Sequence, residues 1–196
     1  MALITMPSSP AFTTSEWGMR RGVAVSTSPF TGKQQTFKYS RATWYAVLSL
    51  PPMKRDQAAE WQAFFLSLEG RSNTFLLGDP DAKTIRGTAT SASVGASGAI
   101  GDSVINLTLG SGKTLNKGSY IQLNTGANAR LHMIVDDNTG NGTCAIQPPL
   151  KAAITTSTPV DLTSAQGVFR MDSNDLTWSA NELSLYGITF SCTEVV

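Results

Sequence analysis

Hydrophobic and polar positions along the chain alternate with a period of two over most of its length and switch to a helical period once. Trp44, Ala46, Leu48 and Leu50 alternate with smaller or more polar residues, the pattern of a strand with one buried face. Pro51 and Pro52 end it. From about Asp56 to Glu69 the apolar residues Ala58, Trp61, Phe64, Phe65 and Leu68 recur every three or four positions, which predicts a helix over about 55–69 with one apolar stripe. Asp56 can receive the free amides at its start, and Gly70 stands where a left-handed residue ends it. An extended run, Thr74 to Leu77, follows and closes in the turn residues Gly78, Asp79 and Pro80.

On either side the pattern is strand-like. Residues 1–18, with Pro7, Pro10, Phe12 and Trp17, read as an irregular N-terminal arm suited to ordering against a neighbouring surface. Gly22 to Ser28 and Gln35 to Tyr39 read as a hairpin about the turn PFTGK. Phe37 and Tyr39 are odd-numbered, whereas the Trp44 set is even-numbered. Either a bulge at Ser40 to Thr43 or a switch between sheets must lie between them.

Aromatic residues divide the chain. Between Ile85 and Gly167 the only one is Tyr120. Aromatic rings dominate core energetics, so residues 83–165 predict a separate, lighter core of Val, Ile, Leu and Ala. This stretch opens with TATSASVGASGAIGD, a linker or a weakly registered edge strand. Five short alternating runs follow: Ser103 to Leu109, Ser119 to Leu123, Arg130 to Val135, Thr143 to Gln147 and Pro159 to Leu162. Turn-forming segments separate them, the composition of a small antiparallel barrel. The aromatic pattern returns with Phe169 and Trp178 and ends in LSLYGITFSC, a last strand in which Tyr186, Ile188, Phe190 and Cys192 share a parity. The predicted fold is mainly β: a discontinuous β-sandwich of residues 19–82 and 166–196 with one packed α-helix, interrupted by an inserted antiparallel β-barrel-like domain.

Composition narrows the function classes. The chain has 196 residues, 15% charged, and a formal net charge of +1. Such a charge supplies no bulk attraction to nucleic acid or anionic membrane, and a surface rich in Ser, Thr, Asn and Gly suits packing against other proteins. The opening MALITMPSSPAF lacks a basic region and a sufficient apolar run for a signal peptide, and no segment is long enough to span a membrane, so synthesis in the cytoplasm is expected. Cys144 and Cys192 fall in different predicted strands and read as buried thiols.

No motif nominates chemistry. GSGKT, Gly110 to Thr114, has Leu107 where a phosphate-binding loop needs glycine and a strand where it needs a helix. Asp137, Thr139, Asn141 and Gly142 imitate part of a calcium loop, but Pro148 stands where its closing Glu belongs. His132, the sole histidine, is placed by its parity on the outer, solvent-facing side of a strand opposite Leu131, Met133 and Val135. Glu16, Glu60, Glu69, Glu182 and Glu194 give no defined carboxylate pair. The expectation is no catalytic residue, no metal, no cofactor and no enzyme activity. Trp17, Trp178 and Tyr186 are candidates to stack on a sugar, Tyr186 being better placed in the core.

The segment WYAVLSLPPM from Trp44, the helix AEWQAFFLSLEG, the closing TFLLGDP, the strands GSYIQL and RLHMIV, the QPPLK turn, VFRM and the end YGITFSCTE together resemble tail-tip proteins of long-tailed, non-contractile bacteriophages, the minor tail and distal tail group. The resemblance covers most of the chain from Arg41 onward. It implies a virion structural protein that assembles with itself into a ring, expected to be hexameric, between the tail tube and the hub, with tape measure and host-recognition proteins as neighbours. The insertion at 83–165 occupies the place where that group carries a variable domain, so it could meet host surface glycans. A carbohydrate- or receptor-binding module of the tail is the alternative. No functional residues transfer, because the group's function is geometric.

Overall fold

The computed structural model describes residues 1–180 and 185–195. In chain order the strands are β1 (Leu3–Ile4), β2 (Thr14–Thr27), β3 (Gln34–Ser49), β4 (Thr74–Leu77), β5 (Ser93–Ala96), β6 (Val104–Thr108), β7 (Thr114–Leu115) and β8 (Tyr120–Leu123). They continue with β9 (Arg130–Ile134), β10 (Asn138–Thr139), β11 (Gly142–Gln147), β12 (Val160–Asp161), β13 (Gly167–Met171), β14 (Ser179–Ala180), β15 (Tyr186–Gly187) and β16 (Thr189–Glu194). The helix α1 spans Arg55–Ser67. The protein is mainly β, with one packed α-helix and a second, barrel-like antiparallel sheet.

The first sheet has the order β1-β4-β13-β16-β3-β2. Its pairs are antiparallel except β1 with β4, which places Leu3 beside Thr74 and Ile4 beside Phe75 in parallel. The even positions Trp44, Ala46, Leu48 and Leu50 are all buried, as the alternation requires. Helix α1 lays Ala58, Trp61, Phe64, Phe65 and, just past its end, Leu68 onto that face. The contacts are ring against ring: Phe64 meets Phe75 at 5.6 Å between centroids, and Phe65 meets Phe190 at 4.9 Å. Past the C-cap Leu68 the chain turns through two left-handed residues, Glu69 at φ +49° and Gly70 at φ +64°, where glycine carries no side chain to resist. The helix starts at Arg55, as expected, with Asp56 in its first turn and Lys54 before it without a side-chain cap, and it ends at Ser67, two residues short of the expected Glu69.

The second sheet has the order β12-β8-β9-β11-β6-β5, and the small pair β7 and β10 lies beside it. Every strand of it falls between β4 and β13, which are themselves hydrogen-bonded partners. The small-residue run contains β5, an edge strand with a register irregularity between Val94 and Ala96. The interior is aliphatic: Ile105, Leu107, Leu115, Ile121, Leu123, Ile134, Ile146, Leu150 and Ile154 are buried together with Cys144.

The two cores touch. Tyr120 and Leu131 belong to the first sheet's cluster, and the Tyr120 ring lies 5.6 Å from that of Trp44. Trp44 Nε1 donates to the Leu131 carbonyl at 2.9 Å. Both faces of β8 and β9 are therefore covered, one by the first sheet and one by the barrel interior.

Several expectations change. The first long strand begins at Thr14, so Trp17 sits in β2, and Phe12 is pinned between Trp61 and Phe190. The hairpin strand and the Trp44 strand are one element, β3. The predicted irregularity is present where Arg21 pairs with Ala42 but Val23 with Lys38, so three residues of β3 oppose Gly22 alone. The predicted last strand is divided between β15, which pairs with β14, and β16, which pairs with β13 and β3. Its first residues, Leu183 and Ser184, lie outside the described residues, as does Glu182.

Candidate functional site

Beyond the irregularity at Gly22, β2 and β3 leave the sheet and continue as a two-stranded ribbon, residues 22–39, closed by a turn with Gly32 at φ +67°. Five paired rows, at about 3.3 Å per residue, carry its tip roughly 20 Å outward once the turn is added. One face holds Val23, Val25 and Lys38; the other holds Ala24, Phe37 and Tyr39, the last two in edge contact at 5.1 Å. Val23, Val25, Phe37 and Tyr39 are exposed, and Phe30 at the tip is 95% exposed. A two-stranded ribbon with apolar groups on both faces is marginal in water by itself. Its continuation within the sheet, β2, is an edge strand with one side unpaired.

At the opposite edge of the same sheet, residues 3–12 arch over β4 and the helix and leave a cleft of about 390 Å³. Leu3, Met6, Pro7, Phe12, Trp61 and Leu77 line it. The arch is tied down by the β1–β4 pairing and by Trp61 Nε1, which donates to the Ser9 carbonyl at 3.1 Å.

The third feature is a buried polar joint between the sheets. Lys151, from the QPPLK turn, meets Glu194 of β16 at 2.7 Å, and Glu194 also accepts the Trp44 amide at 3.2 Å. Gln147, at the start of that turn, accepts a bond from Arg21 of β2 at 3.0 Å. Burial pushes the Glu194 carboxyl up and the Lys151 ammonium down, each opposed by the attraction of its partner. His132 is the clearest correction: it is 1% exposed and points into the barrel interior. Its Nδ1 lies 2.8 Å from the Pro148 carbonyl. Burial first, then the Lys151 and Arg130 charges, lower its pKa to about 4, against the opposing pull of the Pro148 carbonyl. The alternation placed His132 correctly opposite Leu131, but the face taken for solvent is the inside of the second sheet.

The remaining candidates do not converge. Trp17 packs edge-on against Phe169 at 5.6 Å. Tyr186 is half-buried against the first core, whereas Trp178 is 43% exposed. Glu16, Glu60 and Glu69 are exposed. Asp137 accepts the Lys117 amide, Asn141 accepts the amides of Leu109 and Gly110, and among the described residues no group of three His, Cys, Asp or Glu is placed to hold a metal ion. Gly110 to Thr114 is a turn entering the short strand β7. Cys144 and Cys192 are free and buried, and burial raises both thiols, Cys144 to about 11. No helix among the described residues is long and apolar enough to cross a membrane.

Sequence reasoning passed over Val23, Val25 and Phe30. The signal is only partly in the sequence: Val23 and Val25 alternate in one strand and Phe37 and Tyr39 in its partner, and the pairing of Val23 with Lys38 puts the two sets on opposite faces, so the hairpin needs cover on two sides. No protein-family model matches the chain, and no curated protein matches it in sequence.

Proposed function

We propose that this chain is a non-enzymatic structural subunit of a phage tail tip, of the distal or minor tail kind, which assembles with copies of itself into a ring between tail tube and hub. The reading rests on the resemblance carried by the segments from Arg41 onward, and the ribbon of residues 22–39 is the observation that carries it. An exposed ribbon with Val23, Val25, Phe30, Phe37 and Tyr39 uncovered, beside an unpaired edge strand, is a surface that a neighbouring subunit would bury. The near-neutral charge of +1 removes the repulsion that would keep copies apart. In this reading the second sheet is the outward domain, and the tail tube, tape measure and hub proteins are the other neighbours. The setting is the virion.

Light scattering coupled to size separation, followed by negative-stain imaging, is the test. Closed rings, expected with six subunits, support the reading. A chain that stays monomeric at high concentration and is missing from assembled tails overturns it. The exposed Trp178 ring favours a second reading, glycan binding, which a glycan array with wild-type protein and Trp178→Ala addresses; selective binding lost in the variant would make it the better account.

A further inference from the structure

We infer that Phe30 at the ribbon tip of one copy seats in the cleft beneath residues 3–12 of the next copy, so that assembly proceeds by a repeated knob-and-hole contact. The inference rests on the self-assembly reading above and adds which surfaces meet. Among the described residues Phe30 is the most exposed large hydrophobic, at 95%, and the cleft of about 390 Å³ is lined by Leu3, Met6, Pro7, Phe12, Trp61 and Leu77. An aromatic ring on a protruding turn and a hollow with room for it, lined mainly by apolar side chains with Lys83 and Gln166 among its polar ones, are complementary in shape and chemistry.

Their placement selects a second copy as the occupant. The ribbon leaves from β2 and the cleft lies at β1 and β4, the opposite edges of one six-stranded sheet. At about 4.8 Å per strand those edges stand roughly 24 Å apart, and the ribbon runs outward along the strand direction, away from its own hollow. A contact that leaves one edge and enters the other edge of a neighbour uses two different patches. It repeats from copy to copy and closes into a ring when the rotation permits. At the rims, Lys33 follows Phe30 in the turn, while exposed Asp81 stands between the cleft residues Pro80 and Lys83.

Disulfide trapping tests it. Thr31→Cys, beside the knob, and Ala11→Cys, on the cleft wall, both exposed positions, are combined in one chain that keeps Phe30; the native Cys144 and Cys192 are buried and stay silent. Oxidation should give a ladder of linked copies that collapses on reduction, and mixing the two single variants should give heterodimers. Phe30→Ala should weaken assembly about tenfold or more with unchanged melting. Wild-type rings with no ladder and no effect of Phe30→Ala overturn this inference while leaving self-assembly standing. A link formed within a single chain also overturns it. A wild-type protein that never assembles removes both.

Discussion

Where the first sheet buries Trp61, Phe64, Phe65, Phe75 and Phe190 in one connected aromatic cluster, with Phe169 packed beside it, the hydrophobic core of the second holds only aliphatic side chains and one thiol, with the His132 imidazole at its border. The one ring in the inserted stretch, Tyr120, faces the first core, where burial and then nearby Asp79 raise its hydroxyl to about 12. The difference shows how the two parts are built. A helix laid on a sheet encloses space wide enough for rings, whereas a sheet curled on itself fills a narrower interior with branched aliphatics. The joint between them combines one ring contact, Trp44 on Tyr120, with a buried ion pair, so the cores are dissimilar but coupled.

The largest test of that coupling is Trp61→Ala, expected to cost about 3–5 kcal/mol. Because Tyr120 and Leu131 sit in the first core, denaturant titration followed by amide exchange should lose both sheets in one transition. Survival of protection at Ile121 and Leu123 would separate them. Glu194→Ala leaves Lys151 buried without its partner and should cost about 3 kcal/mol or more, while pairing Glu194→Gln with Lys151→Met should recover most of the loss. A joint that tolerates Glu194→Ala would show that the ion pair is dispensable and that the Trp44 contacts with Tyr120 and Leu131 carry it.

His132 gives a smaller, pH-dependent effect. Its folded pKa of about 4 lies below the ordinary 6.5, so the unfolded chain takes up the proton first. Its contribution is full above about pH 6.5 and is lost as pH falls through about 4, by about 3 kcal/mol at most. Subtracting the stability profile of His132→Gln from that of wild type isolates it from the carboxylates. A flat difference between pH 7 and 4 would mean that the imidazole reaches water. The smallest effect belongs to the ribbon: Val25→Thr or Phe37→Ala should change monomer stability by less than about 0.5 kcal/mol, measured by thermal melting below the assembly concentration. A larger loss would make the ribbon part of the core.

Much of this architecture was legible along the chain. The helix stripe, the strand Thr74–Leu77, the even-numbered face of β3 and the positions of most second-sheet strands follow from periodicity, because local backbone geometry sets which residues share a face. The scarcity of aromatics at 83–165 marked a differently built interior for the same reason: composition follows the space to be filled. What periodicity leaves undetermined is which face meets what. His132 lies at a polar position of a regular strand that reads as outward and is interior because a second sheet closes over it, whereas Glu194 shares the buried parity of Phe190 and Cys192 and meets its partner Lys151 only through that second sheet. Phe30, Val23 and Val25 read as ordinary hairpin residues and stand uncovered because no second layer reaches the ribbon. Alternation is a property of one strand, whereas burial is a property of two surfaces brought together. The ribbon, the cleft and the ion-paired joint therefore came into being only when strands distant in sequence were packed side by side.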